Sequence, residues 1–161
     1  FALIDADTPV WIVDPLDGTT NFAHRYPHVA VSIGLCRRGD PVLGVVHDPM
    51  RGETFAAARG LGATLDGRPV RVSATDALDA ALVGTGFPYD RRDHAAAYLR
   101  FVEDFLCRVQ GIRRAGTAAL DLCWVACGRL DGFWELKLKP WDVAGGAAIV
   151  LEAGGVVTDF D

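Results

Sequence analysis

From residue 28 to residue 36 the chain alternates strictly. Val29, Val31, Ile33 and Leu35 fall on one face, and Ala30, Ser32, Gly34 and Cys36 on the other. A period of two predicts a strand. The large residues are expected to be its core face, and the small ones to let another layer approach closely. Ahead of it, residues 10–13 are a short apolar strand that Pro15 is expected to end, since proline restricts Asp14 and cannot extend a ladder. Arg38-Gly39-Asp40 turns the chain into a strand over 41–47, and Gly52 and Gly60 bracket the next. Asp66-Gly67 is a hairpin signal between 63–65 and 69–72. Residues 10–72 therefore predict an antiparallel meander.

The period changes after 73–79. Residues 80–85 read as a strand and 94–109 as a helix, with Ala97, Phe101, Phe105 and Leu106 on one face. A second helix is expected over 117–127, capped by Thr117 and stopped by Gly128. A strand over 132–136 follows, then a helix with Asp142 as N-cap that ends at Gly154-Gly155, then a strand over 156–160. Strands alternating with helices predict an α/β layer. The chain thus divides into an antiparallel sheet part, 1–75, and an α/β part, 76–161.

Composition narrows the function classes. Half of the 161 residues are apolar and 23% are charged, an ordinary globular balance able to bury a core. The net charge of −5, with arginine pairs widely spaced, argues against a nucleic-acid partner or an anionic membrane. No apolar run approaches the roughly 18 residues of a membrane span. The opening residues Phe1 to Asp5 carry neither a basic region nor a cleavage pattern, and without an initiator Met the chain is expected to begin within a longer gene product. Cys36, Cys107, Cys123 and Cys127 form no CxxC pattern, and Cys123 and Cys127, four apart in an apolar segment, are expected to be free thiols packed as small hydrophobes. A cytoplasmic setting fits.

The chemistry concentrates in two segments. In Asp14-Pro15-Leu16-Asp17-Gly18-Thr19-Thr20-Asn21-Phe22 a strand ends in one carboxylate and a second follows three residues later. Gly18, Thr19 and Thr20 then offer amides and hydroxyls at a helix start, which attract phosphate. In Pro140-Trp141-Asp142-Val143-Ala144-Gly145-Gly146 a third aspartate stands at a helix N-terminus. Either segment alone is an ordinary turn or cap. Together they suggest convergence. Three like-charge pairs at about 4 Å would each cost roughly 4 kcal/mol at an effective dielectric near 20. Two divalent cations would bring three carboxylates and a phosphate dianion from about −5 to about −1, and hard oxygen ligands suit Mg²⁺, with Mn²⁺ as a substitute.

The segment from Val13 to Phe22 resembles the first signature of the inositol monophosphatase family. Trp141 to Gly146 and Glu152 to Gly155 resemble its second, and Arg114 to Asp121 and Gly128 to Glu135 are similar to the stretches between. The resemblance spans essentially the whole chain. It implies an αβαβα layered fold, an α+β sandwich with two or three Mg²⁺ ions, sensitivity to lithium, and a homodimer in the complete protein. It implies that Asp14 bridges two metals, that the Leu16 carbonyl binds one of them, and that Asp17 and Asp142 hold the second. Gly18 and Thr19 would contact the phosphate, Thr19 also orienting the attacking water. Gly116, Thr117, Ala118 and Glu135 would line the alcohol side, with Glu135 accepting hydrogen bonds from substrate hydroxyls.

One feature of the family is missing. A Glu-Glu pair that binds metal is expected shortly before the position of Phe1, and Glu53, Glu103 and Glu152 lie in segments with other roles. The chain is therefore expected to be an internal fragment, weakly active and poorly stable by itself. The predicted reaction is hydrolysis of a small-molecule phosphate monoester, inositol 1-phosphate first, by in-line attack of water without a covalent intermediate. Other substrates of the same fold stay open: histidinol phosphate, fructose 1,6-bisphosphate, NADP or a nucleotide 3′-phosphate. So does a non-catalytic binding or assembly module. An aspartyl-nucleophile phosphatase does not fit, because its motif places one residue between the aspartates where this chain has two.

Overall fold

The computed structural model of the protein describes residues 7–159. The opening residues 1–5 and Phe160, discussed above, lie outside that range. Six strands run as an antiparallel meander: β1 (Val10–Asp17), β2 (Ala30–Arg37), β3 (Asp40–Asp48), β4 (Glu53–Ala58), β5 (Gly62–Leu65) and β6 (Arg68–Val70). Asp66 and Gly67, both at positive φ, close the two-residue β5–β6 hairpin. A second sheet holds three parallel strands, β7 (Leu82–Thr85), β8 (Gly111–Arg113) and β9 (Gly132–Trp134), in the order β8-β7-β9. Helix α1 (Thr19–Ala23) follows β1, α2 (Arg91–Leu106) joins β7 to β8, α3 (Ala118–Ala126) joins β8 to β9, and α4 (Pro140–Glu152) follows β9.

Helices α3 and α4 lie between the sheets. Ala30, Val46, Phe55 and Ala57 of the larger sheet share one core with Leu120 and Cys123 of α3 and with Ile149 and Val150 of α4, and Phe133 of β9 packs against it. Phe101 and Phe105 of α2 meet the next β9 residue, Trp134, with ring centroids 5.7 and 5.5 Å apart. An antiparallel meander followed by an α/β layer is thus the fold. The described residues supply four layers of the expected five: sheet, helices, sheet, helix. Cys123 is a buried free thiol as expected, and Cys127 is a free thiol that is only half-buried.

The faces of β2 are the reverse of the expectation. Ala30, Ser32, Gly34 and Cys36 are buried, while Val31, Ile33 and Leu35 are only half-buried. Helix α4 lies directly on the small face. A Cβ on Gly44 would overlap the Gly145 carbonyl, and one on Gly34 would come within 2.7 Å of the Ala144 Cβ. Backbone meets backbone there, so large side chains have no room. They lie on the opposite face beside Trp11 and Val13 of β1, which remain 60% and 49% exposed.

Other boundaries also move. β1 runs on through Pro15, because it is an edge strand and its register shifts between Asp14 and Asp17; proline is tolerated at an edge bulge. The inner stripe of α2 keeps Phe101 and Phe105 but starts at Tyr98 rather than Ala97. Tyr98 is buried and its hydroxyl donates to Asp90 at 2.8 Å, whereas Ala97 and Leu106 face outward. β9 stops at Trp134, ahead of Lys137 at φ 62°. Residues 156–159 form no strand, since no described strand pairs with them.

The contact between α4 and the sheet yields a stability prediction. Gly44→Ala is expected to destabilise by at least about 1–3 kcal/mol, because fixed backbone must yield to the added carbon. Gly132→Ala, whose new Cβ would meet nothing within 4 Å, should stay within about 0.5 kcal/mol. Denaturant unfolding midpoints of the two variants check this, and equal midpoints would refute the close contact.

Candidate active site

The end of β1 and the starts of α3 and α4 meet at one point. Asp14, Asp17 and Asp142 each offer a carboxylate oxygen there, all within 4.8 Å of one another. Each carboxylate is steered by a backbone N–H. Asp14 Oδ1 accepts from Leu16 at 3.0 Å within its own turn. Asp17 Oδ2 accepts from Ala119 at 2.9 Å, in the first turn of α3. Asp142 Oδ2 accepts from Lys139 at 2.6 Å, at the start of α4.

Two caps therefore differ from expectation. Asp142 lies in the first turn of α4, three residues after the N-cap Lys139, because Pro140 has no N–H to bond and already opens the helix. Thr117 occupies the N-cap position of α3, but its hydroxyl donates to the His28 carbonyl at 3.1 Å. Asp17 takes over one of the free amides of α3 instead.

A pocket of about 630 Å³ opens over the cluster. Asp14, Leu16, Asp17, Gly18, Thr19, Gly116, Ala118, Glu135 and Asp142 all line it. Of the residues the sequence points to, Thr117 alone does not; it is buried behind the wall. Gly18 is at φ 84°, and a Cβ there would come within 2.8 Å of Thr117 Oγ1, so only glycine lets α1 start against α3. Arg114 also lines the pocket, with its guanidinium 5.7 Å from the Phe87 ring centroid. Glu53 pairs with Arg129 and Glu152 accepts from the Gly60 and Gly62 amides, so neither is free to join the cluster.

The electrostatics fit a cation. At a separation near 4.8 Å each like-charge pair costs on the order of 3 kcal/mol at an effective dielectric of 20. Three such pairs rival the whole stability of an ordinary domain. Burial pushes Asp17 up to about 7, with Asp14 and Asp142 adding to the shift and the Ala119 amide opposing it. Burial likewise raises Asp142, with Asp14 contributing. An all-oxygen donor set whose outer bonds are already made suits a hard divalent ion. Glu135 is also pushed up to about 7, by burial first, with Arg114 opposing. The sequence reading passed over Asp121. It is 1% exposed, one of its oxygens has no partner among the described residues, and burial and then Glu135 raise it to about 8. An acid inside the apolar run Ala118–Ala126 was the available signal.

Comparison with known proteins agrees with the fold. The model of the inositol monophosphatase family matches residues 2–161. A Synechocystis protein named inositol-1-monophosphatase is 54% identical over 153 residues, which cover 94% of this chain and 53% of that protein. The Nus factor SuhB of Pseudomonas aeruginosa is 52% identical, with 94% and 56% covered. The crystal structure of the extragenic suppressor protein suhB from Bartonella henselae superposes with a TM-score of 0.89 at 50% identity, over 94% of this chain and 58% of that one. The chain spans about half the length of the curated relatives it matches.

Asp121 gives a pH prediction. Its folded pKa of about 8 lies above the ordinary 3.8, so the folded state holds the proton more tightly. The stability linked to this group is complete at low pH and erodes as pH rises from about 4 to about 8. Asp121→Asn, which cannot ionise, should gain in melting temperature over the parent at pH 8 relative to pH 5, in metal-free protein. A difference that is the same at both pH values would refute the assignment.

Proposed function

The chain belongs to the inositol monophosphatase family, and from that premise we propose that the complete protein is a magnesium-dependent phosphate monoester hydrolase, acting first on inositol 1-phosphate. The observation that carries this reading is the meeting of Asp14, Asp17 and Asp142 in a pocket whose walls hold Gly18, Thr19 and Glu135. The name of the Synechocystis relative supports the substrate.

In this reading Asp14, Asp17 and Asp142, with the Leu16 carbonyl, would hold the divalent cations. Magnesium, when bound, neutralises developing charge and activates water. The amides of Gly18 and Thr19 receive the phosphate oxygens, and the Thr19 hydroxyl orients the attacking water in line with the leaving alcohol. Gly116 and Ala118 border the alcohol, with Thr117 bracing them from behind. Glu135 accepts hydrogen bonds from its hydroxyls. Electrostatic stabilisation of this kind is what a very slow uncatalysed hydrolysis demands.

The test is Mg²⁺-dependent phosphate release from inositol 1-phosphate by the full-length protein. Asp14→Asn is expected to weaken Mg²⁺ binding and to lower turnover at least as far as the roughly 10–100-fold loss that follows removal of an outer partner. Near-normal turnover in that variant, or full activity in chelator, would overturn the mechanism.

A second reading is a Nus factor role, supported by the name of a relative almost as similar as the phosphatase. The same Asp14→Asn protein separates the two. If it replaces the Pseudomonas aeruginosa relative in its own host while hydrolysing nothing, the Nus role is independent of turnover. If the folded parent protein itself fails to replace that relative, this second reading is refuted.

A further inference from the structure

The carboxylate side of the pocket and its alcohol side come from different sheets. Residues 14–19 finish β1, at one edge of the six-stranded sheet, and residues 114–118 join β8, at an edge of the parallel sheet, to α3. Among the described residues no strand pairing links these edges, and side-chain hydrogen bonds cross between them.

Asn21, in α1, spans that gap. Its Nδ2 donates to the Ala115 carbonyl at 3.0 Å, 94 residues away, and lies 3.4 Å from the Gly116 carbonyl. The same nitrogen donates to the His28 carbonyl at 2.8 Å, which also receives the Thr117 hydroxyl. All its neighbours are acceptors, so the amide nitrogen, not the oxygen, must face them. Gly116 turns here at φ 88°, and a Cβ on it would stand 3.4 Å from that nitrogen. The alcohol-side loop is therefore wrapped around the Asn21 amide. Of the other two cross-links, Asp17 to Ala119 uses a carboxylate of the cluster, and Thr117 belongs to the loop itself.

We propose that Asn21 is a positioning residue that fixes the alcohol-binding loop relative to the reacting phosphate. The inference rests on the phosphatase reading above. Asn21 serves substrates with an alcohol to place, and matters little for a phosphate ester without hydroxyls. Alanine removes the tie. Aspartate keeps the shape but turns an acceptor toward three carbonyls, so it should be at least as damaging.

The experiment uses the full-length protein, Asn21→Ala and Asn21→Asp, with inositol 1-phosphate and p-nitrophenyl phosphate. For inositol 1-phosphate kcat/KM should fall by about 10–100-fold, the scale set by an ångström of misplacement. For p-nitrophenyl phosphate it should stay within about 3-fold, with the Mg²⁺ titration midpoint unchanged. An equal fall on both esters would mean general damage and overturn the proposal, as would no fall on either. Amide hydrogen exchange gives a reading free of turnover. Where the loop runs into α3, the Ala119 and Asp121 amides, which donate to Asp17 and to the Thr117 carbonyl, should exchange faster in Asn21→Ala, while Leu122 and Cys123 in mid-α3 keep their protection. Unchanged exchange at those two amides overturns the proposal. If the parent protein hydrolyses neither ester, the phosphatase reading falls and the exchange result alone decides whether Asn21 holds the loop.

Discussion

The backbone contact between α4 and the middle of the six-stranded sheet sets the geometry of everything above it. Gly34 and Gly44 face Ala144 and Gly145 with no side chain between them. A helix seated that low has its axial position fixed to within a methyl group, since interiors packed at crystal density do not deform smoothly. Asp142 stands in the first turn of that helix, so the same contact fixes its carboxylate against the end of β1. The Cβ-free surface is thus a positional device for a charged group at some distance from it.

The charged group is in turn bound into the fold. Asp17 satisfies an amide at the start of α3, and Asp142 satisfies one at the start of α4. Helix starts have free N–H groups and a favourable field for negative charge, which offsets part of the repulsion within the cluster. The remainder, on the order of several kcal/mol, is relieved either by a cation or by a proton. Burial first, and then the charges of Asp14 and Asp142, push Asp17 up to about 7. Any cation held by the three carboxylates would bind in step with folding, because they converge only once the strand end and the two helix starts are in place.

What the sequence could reveal follows from the range of each interaction. The meander and the α/β half were legible because period and turn residues act locally, as Asp66-Gly67 illustrates. The three aspartates were legible because two motifs that are ordinary apart become specific as a pair. The faces of β2 were misread because size was taken as the sign of burial, whereas here the close neighbour is a backbone. Pro15 was misread because edge position is a property of the sheet, not of the residue. Asn21 acts through a partner 94 residues away in sequence, and no local pattern marks such a partner, whereas Asp121 was passed over although it stands as an acid inside an apolar run.

The double duty of the aspartates bears on which function the site serves. Since Asp14, Asp17 and Asp142 each anchor a backbone amide, a protein that had lost turnover could still retain them for its fold. Their presence alone does not separate an enzyme from an assembly module. Glu135 is different. It makes no hydrogen bond or ion pair among the described residues, its burial pushes it up to about 7, and it crowds Gly86 so closely that any Cβ there would collide with it. A partly buried acid that accepts no hydrogen bond costs free energy, which the field of Arg114 offsets only in part. It gives the fold nothing that a shorter neutral residue would not give. A group that is costly to the fold and directed into a pocket is best explained by something that enters the pocket, and a carboxylate there accepts hydrogen bonds from hydroxyls. Glu135, more than the three aspartates, supports the proposed small hydroxylated substrate over a purely structural site.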